Sequence, residues 1–336
     1  MKNLSLIVLI LLSNGLIAQD DVIIGKYRKF DSAILGGEVT YLEHLPDGYE
    51  TSGKTYPVLF SMNGQITSQF ANDAAILDNL SNDRIPDMIF IAISNAGASG
   101  KYWSCPDDSG YVKGGEDFSA FLEDELIPQV NKNYLTNGYQ ILAGQSNTGL
   151  FVLYNFLYHP GLFNGYIVAS PMFGWCPDFF INKTNSFLRD HPEINKRLYI
   201  SYGDLDYVQV INYIRDFEEV LKQAPDNLMW KVELISNASH VPFSTLNNAL
   251  LFFFSECTMN AEMKKLTVPQ IKSHFEVLSK EYGFTVNPKS GALLDMAYDL
   301  ADAGKKDQAI EFCKYLISLY PDNEQAKKEL IKFESK

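Results

Sequence analysis

Histidine is scarce in this chain: there are five in 336 residues, at positions 44, 159, 191, 240 and 274. None stands with cysteines or carboxylates at ligand spacing, so no metal or other cofactor is expected. Positive charge is also short. Twenty-eight Lys and Arg face forty-one Asp and Glu, a formal charge of −13 with a pI near 4.8. Such a chain has no general field to gather phosphate backbones, which argues against a nucleic-acid partner. The run GGEDF (114 to 118) lacks the lysine and hydroxyl of a phosphate-binding loop. Four cysteines are too few to form the scaffold of a chain this long. After the first twenty residues there is no long apolar run; the stretch 249 to 254 is too short to cross a bilayer.

The N-terminal MKNLSLIVLILLSNGLIAQDD is the exception. Lys2, an apolar core from Leu4 to Leu12, and small or polar residues before the acidic pair read as a signal peptide over residues 1–19. The expected location is therefore periplasmic or extracellular. Export permits disulfides. Cys105 and Cys176 both fall in loops near the expected active edge, where a bridge between them is open. Cys257 and Cys313 sit in apolar helical contexts and read as buried thiols.

Hydrophobic residues make up 46% of the chain, enough for a sizeable core. Short β-branched and aromatic runs, among them YPVLFSMNG, MIFIAISN, GYQILAGQS, RLYISYG and MWKVELIS, alternate with segments of helical period. One of these, 116 to 134, places Phe118, Phe121, Leu122 and Leu126 on a single face. The pattern predicts an α/β domain over residues 20–257, with a mostly parallel sheet flanked by helices. From 258 to 336 the period is helical throughout, with helices expected at 268–282, 290–303, 306–319 and 323–334. There Ala297, Leu300, Gly304, Ala309 and Pro321 follow the spacing of one tetratricopeptide-like repeat. The simpler expectation is a helical cap packed on the main domain, or a surface for self-association or protein contact.

ILAGQSNTGLF (141 to 151) sets Ser146 between a strand and a helix. A nucleophile elbow needs small neighbours, and Gly144 supplies one; the second glycine comes one place late, with Thr148 in its position. A serine nucleophile needs a histidine, and the histidine needs a buried acid. His240, in SNASHVPF after the last strand, is the histidine that this fold would bring to the site. Asp204 and Asp206 follow the strand RLYISYG, and a G-x-x-D turn favours Asp206. Ser146, Asp206 and His240 then occur in the chain order of an α/β-hydrolase triad. The developing oxyanion needs donors. Those expected are the backbone N–H of Asn147 and that of Gly64 or Gln65, with Gln65 favoured.

On LPDGYE, YPVLFSMNG, EDFSAFLEDELIPQVNKNYLT, the long stretch from ILAGQSNTGLF through SPMFGW, GDLDYV and ASHVPF, the chain resembles the esterase D or "putative esterase" family of α/β-hydrolases over roughly residues 25 to 257. The resemblance implies the α/β-hydrolase fold, the triad and oxyanion residues just named, and a pocket bordered by Trp175, with Tyr102 and Trp103 in a neighbouring loop. It implies hydrolysis of a small-molecule or carbohydrate-linked ester: a ferric siderophore, a feruloylated or acetylated polysaccharide, or a simple acyl ester. Export disfavours S-formylglutathione. Acyl transfer, peptide hydrolysis or ligand binding without catalysis on the same fold are the alternatives.

Overall fold

The computed structural model describes residues 22–94, 102–107, 109 and 111–335. The expected signal segment lies outside them. Strands β1 (Lys26–Ser32) and β2 (Gly37–His44) form an antiparallel hairpin, and a single turn, α1 (Tyr49–Ser52), leads into β3 (Tyr56–Ser61). Helix α2 (Thr67–Ser81) connects β3 to β4 (Ile89–Ser94). The expected helix at 116 to 134 runs continuously from Lys113 to Asn133: α3 (Lys113–Ala120), a π-helical turn over Phe121–Leu126, and α4 (Ile127–Asn133). Pro128, which has no N–H to donate, falls where the π-helical turn passes into α4.

Then β5 (Thr136–Gln145), α5 (Ser146–Tyr158), β6 (Gly165–Ala169), α6 (Pro177–Asp190), β7 (Lys196–Gly203), α7 (Val208–Leu221), β8 (Leu228–Ile235) and α8 (Thr245–Phe253) alternate. The eight strands lie in the order β1-β2-β4-β3-β5-β6-β7-β8, and every pair from β4 to β8 is parallel. The order reverses between β3 and β5. Loops after these two central strands therefore meet above the carboxyl edge, where open α/β sheets place their chemistry.

The sheet is covered on both sides, which is why its central strands are apolar at nearly every position. Successive residues feed opposite cores. Val58, Phe60 and Met62 face the side packed by α3 to α7, whereas Leu59 faces α2 and α8. Leu142 likewise faces the first side and Ile141 and Ala143 the second.

Four C-terminal helices follow: α9 (Val268–Tyr282), α10 (Ser290–Asp302), α11 (Lys306–Leu319) and α12 (Glu324–Ser335). They begin and end within about two residues of the expected spans. Thr267 caps α9, with Gln270 Oε1 accepting both the backbone N–H and the hydroxyl of Thr267. Phe275, Leu293, Phe312 and Phe333 join the core that α2 and α8 build on the sheet, so the four helices pack on that face through a continuous apolar interior. No helix among the described residues is long and apolar enough to cross a membrane.

Candidate active site

The turn between β5 and α5 is a tight one. Ser146 has φ of 52°, the left-handed region that costs a non-glycine residue energy. Its neighbourhood is built for that conformation. A Cβ on Gly144 would lie 2.6 Å from the Thr148 carbonyl oxygen and 2.8 Å from a Val152 methyl, so the −2 position must be glycine. Thr148 is buried, and its hydroxyl accepts the Gln145 N–H at 2.9 Å and donates to the Gln145 carbonyl at 2.8 Å. The Asn63 side chain lies 3.4 Å away. Thr148 thus ties the first helical turn back to the end of the strand. Gly149, one place later, lets α5 approach β6: its Cβ would meet Val168 at 3.1 Å. The displaced glycine of the sequence has a packing role. Thr148→Val keeps the shape and leaves the Gln145 N–H unpaired, so chemical denaturation should show a loss of roughly 1–3 kcal/mol; Thr148→Ser should stay near wild type.

His240 follows β8 and reaches across to the elbow. Its Nε2 accepts from the Ser146 hydroxyl at 3.0 Å, and its Nδ1–H donates to Asp206 Oδ1 at 2.8 Å. The Asp206 side chain is fully buried, and the same oxygen accepts the Tyr207 N–H at 2.7 Å. Asp204 does other work: it accepts the Ala238 N–H at 3.2 Å and braces the loop that carries His240. A buried carboxylate on the far nitrogen fixes the imidazole tautomer and favours the imidazolium formed when the serine gives up its proton.

Of the two backbone donors expected after β3, Gly64 is excluded. Its N–H is donated to the Ile93 carbonyl at 2.9 Å, because the loop turns back onto β4. Gly64 instead matters for what it lacks, since a Cβ there would lie 2.2 Å from the Ala92 carbonyl oxygen. Gln65 is the next residue on the same turn. Asn147 is the second residue of α5, where a backbone N–H has no partner within the helix.

Trp103 and Trp175 meet edge to face, with ring centroids 5.6 Å apart, and Cys105 and Cys176 beside them form a disulfide. Tyr102 turns the other way and packs edge-on against Phe118 in the core. Two exposed aromatics escaped the sequence reading. The Tyr207 ring lies 5.2 Å from that of His240, and Phe243 stands three residues beyond it, 73% exposed. The available signal was their adjacency to Asp206 and His240. Cys257 and Cys313 are buried free thiols.

Behind the elbow lies a cavity of about 30 Å³ lined by Asn63, Gln69, Asp73, Gln145, Val241 and Thr245, among others. Burial pushes the Asp73 carboxyl up from its ordinary 3.8 to about 6, partly offset by hydrogen bonds from Gln69 and Asn72. The raised value means that the folded state holds this proton more tightly than the unfolded chain does. The associated stability is complete below pH 3.8 and lost as pH rises through 6. Asp73→Asn should therefore stabilise the protein by roughly 1–3 kcal/mol at pH 8. The gain should shrink towards zero near pH 4 in denaturant melts.

Over 76 residues, 22% of this chain, the sequence is 37% identical to the ferri-bacillibactin esterase BesA of Bacillus subtilis (strain 168); the match spans 26% of that protein's length. The structure superposes on an IroE-like serine hydrolase from Shewanella oneidensis with a TM-score of 0.72 at 20% identity, covering 88% of this chain and 99% of that one. It also superposes on an uncharacterised protein from Capnocytophaga ochracea DSM 7271 with a TM-score of 0.69 at 14% identity, covering 88% and 84%. At those identities the two structures share the α/β-hydrolase fold. The family model described as "Putative esterase" matches residues 32–233, more than half of the chain, and the protein belongs to that family.

Proposed function

We propose that the protein is an exported serine carboxylic ester hydrolase. The observation that carries this reading is the relay from Ser146 through His240 to the buried Asp206, with the serine held at a strained elbow. His240 takes the Ser146 proton as Oγ attacks the ester carbonyl. The N–H of Asn147 donates to the oxygen as it gains negative charge. His240 then passes its proton to the departing alcohol, leaving an acyl-enzyme, and water activated by the same imidazole releases the acid. Asp206 holds the ring throughout.

Tyr207, beside His240, and the exposed Phe243, three residues after it, together with the Trp103–Trp175 pair, are the aromatic side chains we assign to the rim of the site, which would suit esters with flat or apolar groups. The similarity to a ferri-bacillibactin esterase puts siderophore esters first among the candidates, ahead of feruloyl and acetyl-sugar esters. A panel of these together with simple aryl esters, ranked by kcat/KM, tests the reading; no turnover above a Ser146→Ala control on any of them would refute it. The Cys105–Cys176 bridge supports an oxidising compartment, consistent with export. The division at residue 258, and one tetratricopeptide-like repeat in α10 and α11, belong to the same proposal. Their support is the close packing of α10 on α11 and of α11 on α12.

A further inference from the structure

Four non-glycine residues among those described have positive φ, and two of them touch. Val241 follows His240 directly and has φ of 61°; Ser170 follows β6 and has φ of 46°. The Val241 conformation is unfavourable on two counts. Its side chain is β-branched, and it precedes Pro242, which restricts its backbone further. Something must hold it there. The Val241 N–H donates to the Ser170 hydroxyl at 3.0 Å, and Ser170 is completely buried. Ser170 is itself anchored, its N–H donating to the Ser201 carbonyl at 2.7 Å. Pro242 is held from the other side, its carbonyl accepting from the Thr245 hydroxyl at 2.7 Å, which in turn lies 2.7 Å from the Ser201 hydroxyl. Two residues after Ser170, the Met172 N–H donates to the carbonyl of Ser146 at 3.3 Å. One short segment after β6 thus grips both the residue beside the histidine and the backbone of the serine.

We infer that Ser170 is a positioning residue for the reaction: its hydroxyl holds Val241 in the left-handed conformation that aims His240 at Ser146. The inference rests on the hydrolase reading for its kinetic consequences but not for its geometry. Without the hydroxyl, Val241 relaxes towards negative φ and carries the imidazole away from the nucleophile. Glycine at 241 would adopt the same φ without strain and would not need the hydroxyl.

The test is a set of variants assayed on an aryl ester. Ser170→Ala should lower kcat by about 10- to 100-fold with KM within about twofold of wild type, the pattern of misplaced catalytic groups rather than lost substrate contacts. Adding Val241→Gly to Ser170→Ala should restore most of the kcat that Ser170→Ala loses. A merely structural role for Ser170 would not be relieved by a change at 241. Wild-type kcat in Ser170→Ala, or a double variant no better than the single one, would overturn the inference. If Ser170→Ala folds poorly, Ser170→Cys with and without Val241→Gly gives the same comparison. A crystal structure of the Ser170 variant separates this inference from the hydrolase reading. Residue 241 should leave positive φ and the His240–Ser146 hydrogen bond should open; an unchanged loop would overturn the inference whatever the activity of the wild type.

Discussion

Ser146→Ala and His240→Ala should each lower kcat by on the order of 10⁴- to 10⁶-fold, and the double variant should be little worse than either. The size follows from the role proposed for each group. Without the serine there is no acyl-enzyme; without the imidazole the Ser146 hydroxyl keeps its proton and the alcohol leaves without one. The non-additivity follows because both act in one proton transfer, across the 3.0 Å contact between Nε2 and Oγ. Asp206→Asn should cost on the order of 10⁴-fold, since an amide can present its own N–H to Nδ1 and favour the wrong tautomer. The variants differ in stability as well. Ser146→Ala should melt near wild type. His240→Ala removes the ring that faces the buried Asp206 carboxylate and should be the less stable of the two. Steady-state kinetics beside thermal melts of the four proteins decide the point. Activity losses that multiply in the double variant would place Ser146 and His240 in separate steps.

The Cys105–Cys176 bridge carries the second large effect. It closes a sequence separation of 71 residues, for which chain entropy gives about 4 kcal/mol at 25 °C. Replacing both cysteines by serine should therefore lower the melting temperature by about 5–10 °C. The bridge also staples the loop of Trp103 to that of Trp175, so the edge-to-face contact of the two indoles loosens with it. Substrate binding should weaken more than chemistry does, because the elbow, Asp206 and His240 follow β5, β7 and β8, and Ser170 and Met172, which brace them from the β6 side, precede the bridged residue and keep their own hydrogen bonds to Ser201 and Ser146. KM should rise while kcat holds. An equal fall in kcat at constant KM would show that the bridge acts on the catalytic groups rather than on the rim. Melts and kinetics with and without a thiol reductant give the first answer before any mutation is made.

Much of this molecule could be read from its sequence because the information is local. Parallel strands buried on both faces leave near-continuous apolar runs, and helices leave a 3.6-residue period, so the sheet and the C-terminal helices were legible. Ser146, Asp206 and His240 were legible too, each being a reactive side chain immediately after a strand in an order the fold allows. The choice of Asp206 over Asp204 rested on the G-x-x-D turn alone and was not fixed locally, because it depends on which way a turn projects two side chains only two residues apart. Nor was the engagement of the Gly64 N–H, which follows from the return of that loop onto β4. Thr148 looked like a defect in a motif. The fold makes it a clasp on Gln145 and moves the glycine's packing role to Gly149. Ser170 and Val241 left no local trace: a serine before a proline and a valine before a proline are ordinary until φ and a 3.0 Å contact join them. Asp73 gave no sign either, since a carboxylate in a helix is usually at the surface and only packing buries it.

The most direct test of the central claim is covalent labelling of the folded protein by a fluorophosphonate, followed by mass spectrometry of the digested product. A nucleophilic serine activated by His240 predicts one adduct, on the peptide that contains Ser146, absent in Ser146→Ala and slowed by on the order of 10³-fold or more in His240→Ala. A folded wild type that stays unlabelled, or that carries the adduct on another residue, would contradict it.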